Sequence, residues 1–312
     1  MSKKITLLAG SVSVDLGKKI AKSLGIELVD VVLTEFKDGE VRPSIEESIR
    51  GSDVFIVQST HSPIENFWEL LLMGDAAKRA SASSITAIVP YFGNARQDRK
   101  DKPRVPITAK LVADCMKAAG FTRIITMDLH ADQIQGFFDF PVDNLYASAL
   151  FVSYVSGLGL KENLVMASPD AGGARRAGKY AKFLGVEMVM CYKSRDKANE
   201  VSEMRLIGDV QGKDVVLIDD IIDTGGSLAK AANLMMQNGA KSVRALCTHP
   251  VLSGDACKKI DESALLELVV CDTIPLKCNS NKIKVLPIEG LFADAISRVH
   301  KDESISSLFK VT

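Results

Sequence analysis

The chain has 312 residues, of which 46% are hydrophobic and 25% are charged, a composition typical of a folded protein of about two domains. It excludes disorder as the main state, because a chain this long and apolar can bury a core of its own. Lysine plus arginine and aspartate plus glutamate each number 39, so the formal net charge is zero. General binding to nucleic acid or to anionic membranes is therefore not expected.

No apolar run approaches the roughly 18 residues that a membrane span needs. The opening segment MSKKITLLAG has an apolar stretch that stops at Gly10, which predicts a first strand rather than a signal peptide. We therefore expect a cytoplasmic protein. The six cysteines form no CxxC pair, so we expect small buried hydrophobes in a reducing cytosol and no structural zinc site. They are Cys115, Cys191, Cys247, Cys257, Cys271 and Cys278.

Short β-branched runs alternate with longer amphipathic segments along the chain. Strands are predicted over residues 5–9, 54–58, 85–90, 123–127, 164–167, 187–192, 215–218, 243–248 and 266–271. Helices are predicted over residues 65–80, 108–119, 174–184 and 228–237. Several of them end at a glycine, such as Gly120 or Gly239, as a left-handed C-terminal cap requires. The alternation predicts an α/β protein with parallel sheets covered by helices.

The two halves of the chain share a spacing. In each, a helix that opens with Ala-Lys ends at a glycine, and a strand and then a histidine follow, His130 in one half and His249 in the other. The match indicates two similar domains, and the turn-rich segment YVSGLGLKEN lies between them. We place the domains at residues 1–147 and 148–312, and we expect the last residues to pack back on the first domain.

Two motifs in the first domain follow apolar runs. FKDGE, residues 36–40, by itself indicates a turn at Gly39. IVPYFGNARQDRKDKPR, residues 88–104, follows a strand with a strongly cationic loop, which suits either a solvated loop or a polyphosphate site. The cations of this loop are Arg96, Arg99, Lys100, Lys102 and Arg104.

Three further motifs place charged side chains just past strand ends. MDLHADQIQGFF puts Asp128 and His130 there, although a lone histidine in such a place is more often structural than a ligand. SPDAGGARRAGK puts Asp170 at the end of another strand, before a glycine pair and a helix. CYKSRDKANEV, residues 191–201, predicts an exposed basic loop after a third strand.

The strongest motif is VVLIDDIIDTGGS, residues 215–227. A buried strand runs into Asp219 and Asp220, a loop carries Asp223, and TGGS opens a helix. The glycines let the backbone approach an anion, to which the helix N-terminus and the hydroxyls can donate. Carboxylates do not bind phosphate, but a vicinal diol can donate to them. The motif therefore predicts a sugar-phosphate site, most simply for ribose 5-phosphate, since a strand–turn–helix with ordinary caps needs fewer acids.

DDIIDTGGS resembles the ribose-phosphate loop of the type I phosphoribosyltransferase fold. Together, the motifs from FKDGE to the C-terminal SISSLF resemble the ribose-phosphate pyrophosphokinase family, in its common phosphate-activated class, over essentially the whole chain. The resemblance implies two similar domains of that fold, each a mainly parallel sheet covered by helices. It also implies transfer of the pyrophosphoryl group of magnesium-ATP to the 1-hydroxyl of ribose 5-phosphate, giving phosphoribosyl pyrophosphate and AMP for nucleotide biosynthesis.

The resemblance also assigns roles to individual residues. Lys193 and Arg195 match the catalytic flexible loop, and Arg195 is counted among the sugar-phosphate contacts as well. His130 and Asp170 match positions for magnesium-ATP; because imidazole is an unusual ligand for so hard a cation, His130 would contact Mg²⁺, a phosphate or a metal-bound water. The other implied contacts are Phe36, Asp38, Gly39, Glu40, Arg96 and Gln97 for ATP, and Asp219, Asp220, Asp223, Thr224, Gly225, Gly226 and Ser227 for ribose 5-phosphate.

Cofactor, assembly and regulation follow from the same resemblance. Mg²⁺ is expected because ATP, at about −4, and the sugar phosphate, at about −2, repel each other in the site. A homo-oligomer, commonly a hexamer, is implied, with FKDGE supplied to a neighbouring subunit. Inorganic phosphate is the implied activator and ADP the implied inhibitor at a subunit interface. The candidate anion contacts there are Ser48, Arg50, Ser81, Ser304, Ser306 and Ser307.

Three other interpretations stay open. A nucleobase phosphoribosyltransferase would use the same sugar loop, but it would not need RQDRK or KSR for ATP. A non-catalytic regulatory relative would have an altered or lengthened catalytic loop, whereas KSR follows its strand without an insertion. A Walker-type ATPase is suggested by GxxxxGK at residues 173–179, but Tyr180 replaces the magnesium-binding hydroxyl and the segment is predicted to be helical.

Overall fold

The computed structural model describes residues 3–160, 162–194 and 203–308. Its contacts divide the chain into two compact units. The first runs through Leu145 and takes in Thr273–Pro275 and Ile288–Leu308, and the second holds Tyr146–Asp272 and Leu276–Pro287. The division thus falls close to the predicted boundary at 147/148, while the segment after Ile288 belongs to the first unit.

The first unit is built on one parallel sheet. Its elements are β1 (Ile5–Ala9), α1 (Val14–Leu24), β2 (Val31–Glu35), β3 (Val41–Ile45), β4 (Asp53–Val57), α2 (Glu65–Arg79), β5 (Ser84–Val89), α3 (Thr108–Ala119), β6 (Arg123–Met127) and β7 (Val142–Leu145). The sheet order is β1-β4-β5-β6-β7, and every neighbouring pair is parallel. Strands β2 and β3 form a separate antiparallel hairpin.

The strands of this sheet are apolar because helices cover them. Strand β4 reads DVFIV, and its residues from Val54 to Val57 are at most 1% exposed. Leu70 and Met73 of α2 and Met116 of α3 are buried in the same core. A parallel sheet buried in this way leaves polar residues for the loops past the carboxyl ends of its strands, which is where ligands bind in α/β folds.

The second unit repeats this plan with more strands. Its elements are α4 (Ser148–Gly157), β8 (Leu164–Ser168), α5 (Ala174–Leu184), β9 (Glu187–Ser194), β10 (Glu203–Ile207), β11 (Asp214–Ile222), α6 (Gly226–Gln237), β12 (Ser242–Pro250), α7 (Ala256–Glu262), β13 (Glu267–Cys271) and β14 (Ile283–Leu286). The sheet order is β10-β9-β8-β11-β12-β13-β14, and only β10 is antiparallel to its neighbour. A last helix, α8 (Glu289–His300), packs on α1 in the first unit. Within the described ranges, no helix is both long and apolar enough to cross a membrane.

The predicted fold class is confirmed, with three differences in detail. Strand β11 continues to Ile222, so Asp219 and Asp220 lie in the strand and not beyond it. The shared spacing of the two halves also ends differently, because His130 is exposed past β6 whereas His249 is buried within β12. The hairpin β2–β3 was not predicted: β2 contains the apolar run that precedes FKDGE, but its residues and those of β3 are exposed or half-buried and form no strand of the main sheet.

The expectation of six reduced, buried cysteines is wrong for two of them. Cys257 in α7 and Cys278, which precedes β14, form a disulfide with a Cα–Cα distance of 6.4 Å. Both are only half-buried. Cys191, Cys247 and Cys271 are buried free thiols as expected, and Cys115 is a half-buried one. The spacing of the cysteines gave no sign of the bridge, because a disulfide depends on which Cβ atoms the fold brings together.

Candidate active site

The segment Asp219–Ser227, called the ribose loop below after the ligand predicted for it, runs from the carboxyl end of β11 into the first turn of α6. Gly225 has a φ of +71°, and a Cβ atom there would lie 3.2 Å from the carbonyl oxygen of Ala256, so this turn requires glycine. Helix α6 begins at Gly226. The first N–H groups of a helix lack carbonyl acceptors within it, so they can donate to an anion at this end.

The backbone of the ribose loop is held by the segment 252–259. The N–H groups of Leu252 and Ser253 donate to the carbonyl oxygens of Ile222 and Asp223, each at 3.0 Å. The Lys259 Nζ atom, on α7, donates to the Thr224 carbonyl oxygen at 3.4 Å. Three consecutive carbonyl groups of the loop are thereby turned toward this segment.

Asp219 and Asp220 form an acid pair with an arginine beside it. The Nη1 atom of Arg176 donates to Asp220 Oδ1 at 2.6 Å and lies 3.7 Å from Asp219 Oδ1. Asp219 Oδ1 also accepts the backbone N–H of Asp220 at 2.9 Å. Sequence analysis did not single out Arg176, although it stands six positions after Asp170 in the quoted SPDAGGARRAGK motif.

Burial and the neighbouring charge both raise the pKa of Asp219 and so oppose its ionisation. Burial raises the pKa of the Asp219 carboxyl well above its usual value, the charge of Asp220 raises it further, and Arg176 acts against both. Burial, followed by Asp219 and Asp220, likewise raises the pKa of the Cys247 thiol, which lies opposite Asp219 on β12. One arginine thus faces two carboxylates, which leaves acceptor capacity for a ligand that donates hydroxyl groups.

Asp170 stands directly after β8 in a tight turn. Its Oδ1 atom accepts the N–H of Gly173 at 3.1 Å, and Ser168 Oγ donates to its carbonyl oxygen at 2.6 Å. A Cβ atom at residue 173 would lie 2.6 Å from that Ser168 Oγ, so the turn closes because a glycine is there. The carboxylate is half-buried, and in the described part of the chain its Oδ2 atom takes part in no hydrogen bond.

Two hydrogen bonds fix the backbone between the end of β6 and His130. The N–H of Asp128 donates to the Leu145 carbonyl oxygen at 2.8 Å, and the N–H of Leu129 donates to Asn144 Oδ1 at 3.1 Å. The His130 side chain that follows is exposed. His130 belongs to the first unit and Asp170 to the second.

FKDGE forms the tip of the β2–β3 hairpin. The N–H of Phe36 donates to the Glu40 carbonyl oxygen at 2.8 Å, and the N–H of Glu40 donates to Asp38 Oδ1 at 3.2 Å. Gly39 supplies the positive φ, +89°, that closes the turn. The Phe36 ring is 43% exposed, with the guanidinium carbon of Arg42 5.3 Å from its centroid.

A cavity of about 600 Å³ lies beside the hairpin tip. Its lining is acidic and includes Asp38, Glu40, Glu65, Trp68 and Glu69. Such a lining repels phosphate groups and suits a ligand that presents N–H donors and an aromatic face.

The cationic loop, residues 96–104, is fixed at its beginning and exposed beyond it. A Cβ atom at Gly93 would lie 2.0 Å from the Thr60 carbonyl oxygen, so only glycine permits this approach. The Gln97 side chain is anchored, because Thr108 Oγ1 donates to its Oε1 atom at 2.5 Å. All five basic side chains of the loop are exposed: Arg96, Arg99, Lys100, Lys102 and Arg104.

The two residues matched to a catalytic loop lie at the edge of the described chain. Lys193 is paired with Met204 in the β9–β10 register. Arg195 and the side chain of Lys193 lie outside the described residues, as does the rest of the predicted basic loop up to residue 201.

Comparison with known proteins decides the family. A family model described as the N-terminal domain of ribose phosphate pyrophosphokinase matches residues 5–120, and one described as a phosphoribosyl synthetase-associated domain matches residues 186–310. A ribose-phosphate pyrophosphokinase of Porphyromonas gingivalis is 57% identical over 97% of each chain, and one of Wolinella succinogenes is 57% identical over 97% of this chain and 98% of its own. The crystal structure of phosphoribosylpyrophosphate synthetase from Mycobacterium smegmatis matches with a TM-score of 0.91 and 41% identity, over 96% of this chain and 100% of that one.

The chain belongs to the ribose-phosphate pyrophosphokinase family. The membership predicted from the motifs is confirmed, and with it the prediction of an enzyme of this type. The GxxxxGK match lies within and just before helix α5, so it forms no phosphate-wrapping loop. A Walker-type ATPase is thereby excluded for this segment.

Four of the six candidate anion contacts form two hydrogen-bonded pairs in the first unit. Arg50 Nη1 donates to Ser81 Oγ at 3.1 Å, and Ser304 Oγ donates to Ser306 Oγ at 3.1 Å. Across the described residues, no hydrogen bond joins the Arg50 pair to the Ser304 pair. Among the described residues, hydrogen bonds therefore link four of the six candidates, in two pairs.

Proposed function

We propose that the enzyme transfers the pyrophosphoryl group of ATP to the 1-hydroxyl of ribose 5-phosphate, giving 5-phosphoribosyl 1-pyrophosphate and AMP. The observation that carries the proposal is the ribose loop, where a helix N-terminus suited to phosphate follows directly on carboxylates suited to a diol. A pentose phosphate presents both a phosphate and a vicinal diol.

The sugar phosphate is bound in two parts. The backbone N–H groups and hydroxyls of residues 224–227 donate to the 5-phosphate, whose charge the positive end of α6 stabilises. Asp219 and Asp223 accept hydrogen bonds from the ribose diol. Because segment 252–259 already holds the loop, binding does not have to order it, and less affinity is lost to conformational entropy.

The chemistry is an in-line displacement at the β-phosphorus of ATP. A bond forms between that phosphorus and the 1-hydroxyl oxygen of the sugar, and the bond to the oxygen bridging the α- and β-phosphates breaks. The electron pair of the broken bond leaves with AMP, and the hydroxyl proton is lost to solvent. The enzyme therefore has to align the two substrates and to stabilise charge on the transferred group.

The residues present fit the expected magnesium ion. The described chain contains no group of three or more histidine, cysteine or acidic ligands, so the protein alone offers no complete coordination shell. Mg²⁺ bound with nucleotides keeps most of its ligands from phosphate and water, and it then needs one or two carboxylates. Asp170 would hold it through Oδ2. When bound, the ion neutralises phosphate charge.

The adenine and the phosphates of ATP are assigned to two different regions, one acidic and one cationic. Adenine presents an amino group and an aromatic face, which Asp38, Glu40 and Phe36 at the hairpin tip can contact; the family resemblance supplies this tip to a neighbouring subunit. The phosphates carry about four negative charges and are assigned to Arg96 and Gln97 of the cationic loop. Lys193 and Arg195 stabilise the charge that develops on the transferred group.

Assembly and regulation are proposed on the same basis. The enzyme forms a homo-oligomer, a hexamer in the family pattern, that inorganic phosphate activates and ADP inhibits. The Arg50–Ser81 pair supports this proposal, because it sets a guanidinium beside a hydroxyl, the two donor types that an anion needs.

Product analysis tests the proposed reaction. The enzyme is incubated with magnesium, ATP and ribose 5-phosphate, and the nucleotides are separated by ion-exchange chromatography. AMP should form in amounts equal to phosphoribosyl pyrophosphate, and ribose without its phosphate should give neither. ADP as the nucleotide product would falsify pyrophosphoryl transfer. Repeating the assay without inorganic phosphate should lower the rate if the activation proposal is correct.

A further inference from the structure

Helix α5 carries two consecutive arginines that differ sharply in their surroundings. Arg175 is exposed and takes part in no ion pair or hydrogen bond within the described residues. Arg176 is only 25% exposed and faces the acid pair of the ribose loop. The orientation of α5 therefore places the Arg176 side chain beside the acid pair and the Arg175 side chain in solvent.

Arg176 contacts the two aspartates in different ways. Asp220 is 5% exposed, and its Oδ1 atom accepts the 2.6 Å hydrogen bond from Arg176. The Asp219 side chain is 28% exposed, and Arg176 lies 3.7 Å from it, beyond hydrogen-bond distance. Asp220 is thus bonded to the arginine, whereas Asp219 keeps a partly exposed carboxylate outside hydrogen-bond distance of it.

The charges at this point explain why a cation is needed. Asp220 lies on the same strand as Asp219, and the buried Cys247 and His249 lie on the neighbouring strand β12, with α5 contributing Arg176. Among these groups Arg176 is the permanent cation, since arginine stays charged throughout the working pH range. Without it, two carboxylates at one strand end would repel each other, and burial would add to the cost of ionising both.

We propose that Arg176 is the positioning residue of the ribose site: it fixes Asp220 and balances the acid pair, so that Asp219, and not Asp220, receives a hydroxyl of the sugar. This inference rests on the proposed function, because it takes ribose 5-phosphate as the ligand of this loop. It revises the sequence-based expectation for Asp220, which becomes a support for Asp219 and loses its assigned sugar contact.

Initial rates of three variants test the role of Arg176. Ribose 5-phosphate is varied at saturating ATP, and ATP at saturating ribose 5-phosphate, for Arg176→Gln, Arg176→Lys and the matched control Arg175→Gln. Arg176→Gln should raise the KM for ribose 5-phosphate about tenfold, the equivalent of one charge-assisted hydrogen bond, with the KM for ATP within about twofold of wild type. Arg176→Lys should recover part of the loss, since it keeps the charge but not the guanidinium geometry. Arg175→Gln should match wild type.

The division between the aspartates is tested separately, so the proposal does not depend on the folding of one variant. Asp219→Asn should raise the KM for ribose 5-phosphate at least about tenfold, and Asp220→Asn by no more than about threefold. Equal losses in the two variants would make Asp220 a sugar contact and overturn the proposal. So would an unchanged sugar KM in Arg176→Gln, or a loss in Arg176→Gln that is the same for both substrates.

The control variant separates this inference from the proposed function. If wild type and Arg175→Gln both form AMP from ATP and ribose 5-phosphate, the reaction is correct whatever the Arg176 variants do. If neither forms AMP, the proposed function itself fails. If wild type is active and the Arg176 variants keep its KM for ribose 5-phosphate, only the positioning role of Arg176 is wrong.

Discussion

The ribose loop and the cationic loop hold their charges in opposite ways. In the ribose loop, Asp220 already has its partner in Arg176, and three backbone carbonyls are bonded to segment 252–259. Just before the cationic loop, Gly93 packs closely against the Thr60 carbonyl oxygen, and within the loop the Gln97 side chain accepts a hydrogen bond from Thr108, yet the five basic side chains are exposed. One site is arranged before its ligand arrives, and the other keeps its charges in water.

The difference agrees with the ligand that we propose for each loop. A sugar hydroxyl is neutral and gains only about 1 kcal/mol from a hydrogen bond, so its acceptors must stand in place beforehand. A polyphosphate carries several charges, attracts cations from a distance and can order them as it binds. A fixed acid site beside a helix N-terminus suits the proposed sugar phosphate, and a set of exposed cations suits the proposed polyphosphate.

The largest expected effect concerns a cation assigned to the transferred group. Lys193→Ala should lower kcat by about 10²–10³-fold and leave the Kd for ATP within about threefold, because the lysine acts mainly on charge that develops in the transition state. Single-turnover kinetics and equilibrium binding of ATP measure the two quantities. Tyr192→Phe in the same strand is the control. A collapse of ATP affinity with kcat preserved would show that the role given to Lys193 is wrong.

The next prediction concerns the disulfide of α7, the helix that donates a hydrogen bond to the ribose loop. The disulfide joins α7, which bonds to Thr224, to Cys278, and it closes a loop of 21 residues. On a chain-entropy basis, Cys278→Ser should lower the free energy of unfolding of the second unit by about 3 kcal/mol under non-reducing conditions. Chemical denaturation measures this loss, with Cys115→Ser as the control. Native protein in which both Cys257 and Cys278 react with an alkylating reagent would contradict the bridge.

A smaller effect sharpens the contrast between the substrates. Asp223→Asn should lower the affinity for ribose 5-phosphate about tenfold and leave the affinity for ATP almost unchanged, since this carboxylate is assigned to the diol alone. Calorimetric titration of each substrate gives the two affinities, and Glu262→Gln on the surface of α7 is the matched control. An equal loss of affinity for both substrates would contradict the assignment of Asp223 to the sugar diol.

Sequence reasoning reached the ribose loop because its evidence is local. Three acids and TGGS within nine residues define the site without knowledge of the fold. Arg176 could not be found in this way, since the choice between Arg175 and Arg176 depends on how α5 is rotated against β11. The disulfide and the exposed hairpin β2–β3 depend likewise on tertiary packing. The roles of Lys193 and Arg195 came from the family resemblance and stay predictions.

The most direct test of the account is a crystal structure of the enzyme with ribose 5-phosphate bound. The account predicts the 5-phosphate within hydrogen-bond distance of backbone N–H groups in residues 224–227, and the diol on the carboxylates of Asp219 and Asp223. A sugar phosphate bound elsewhere, with the ribose loop empty, would contradict it.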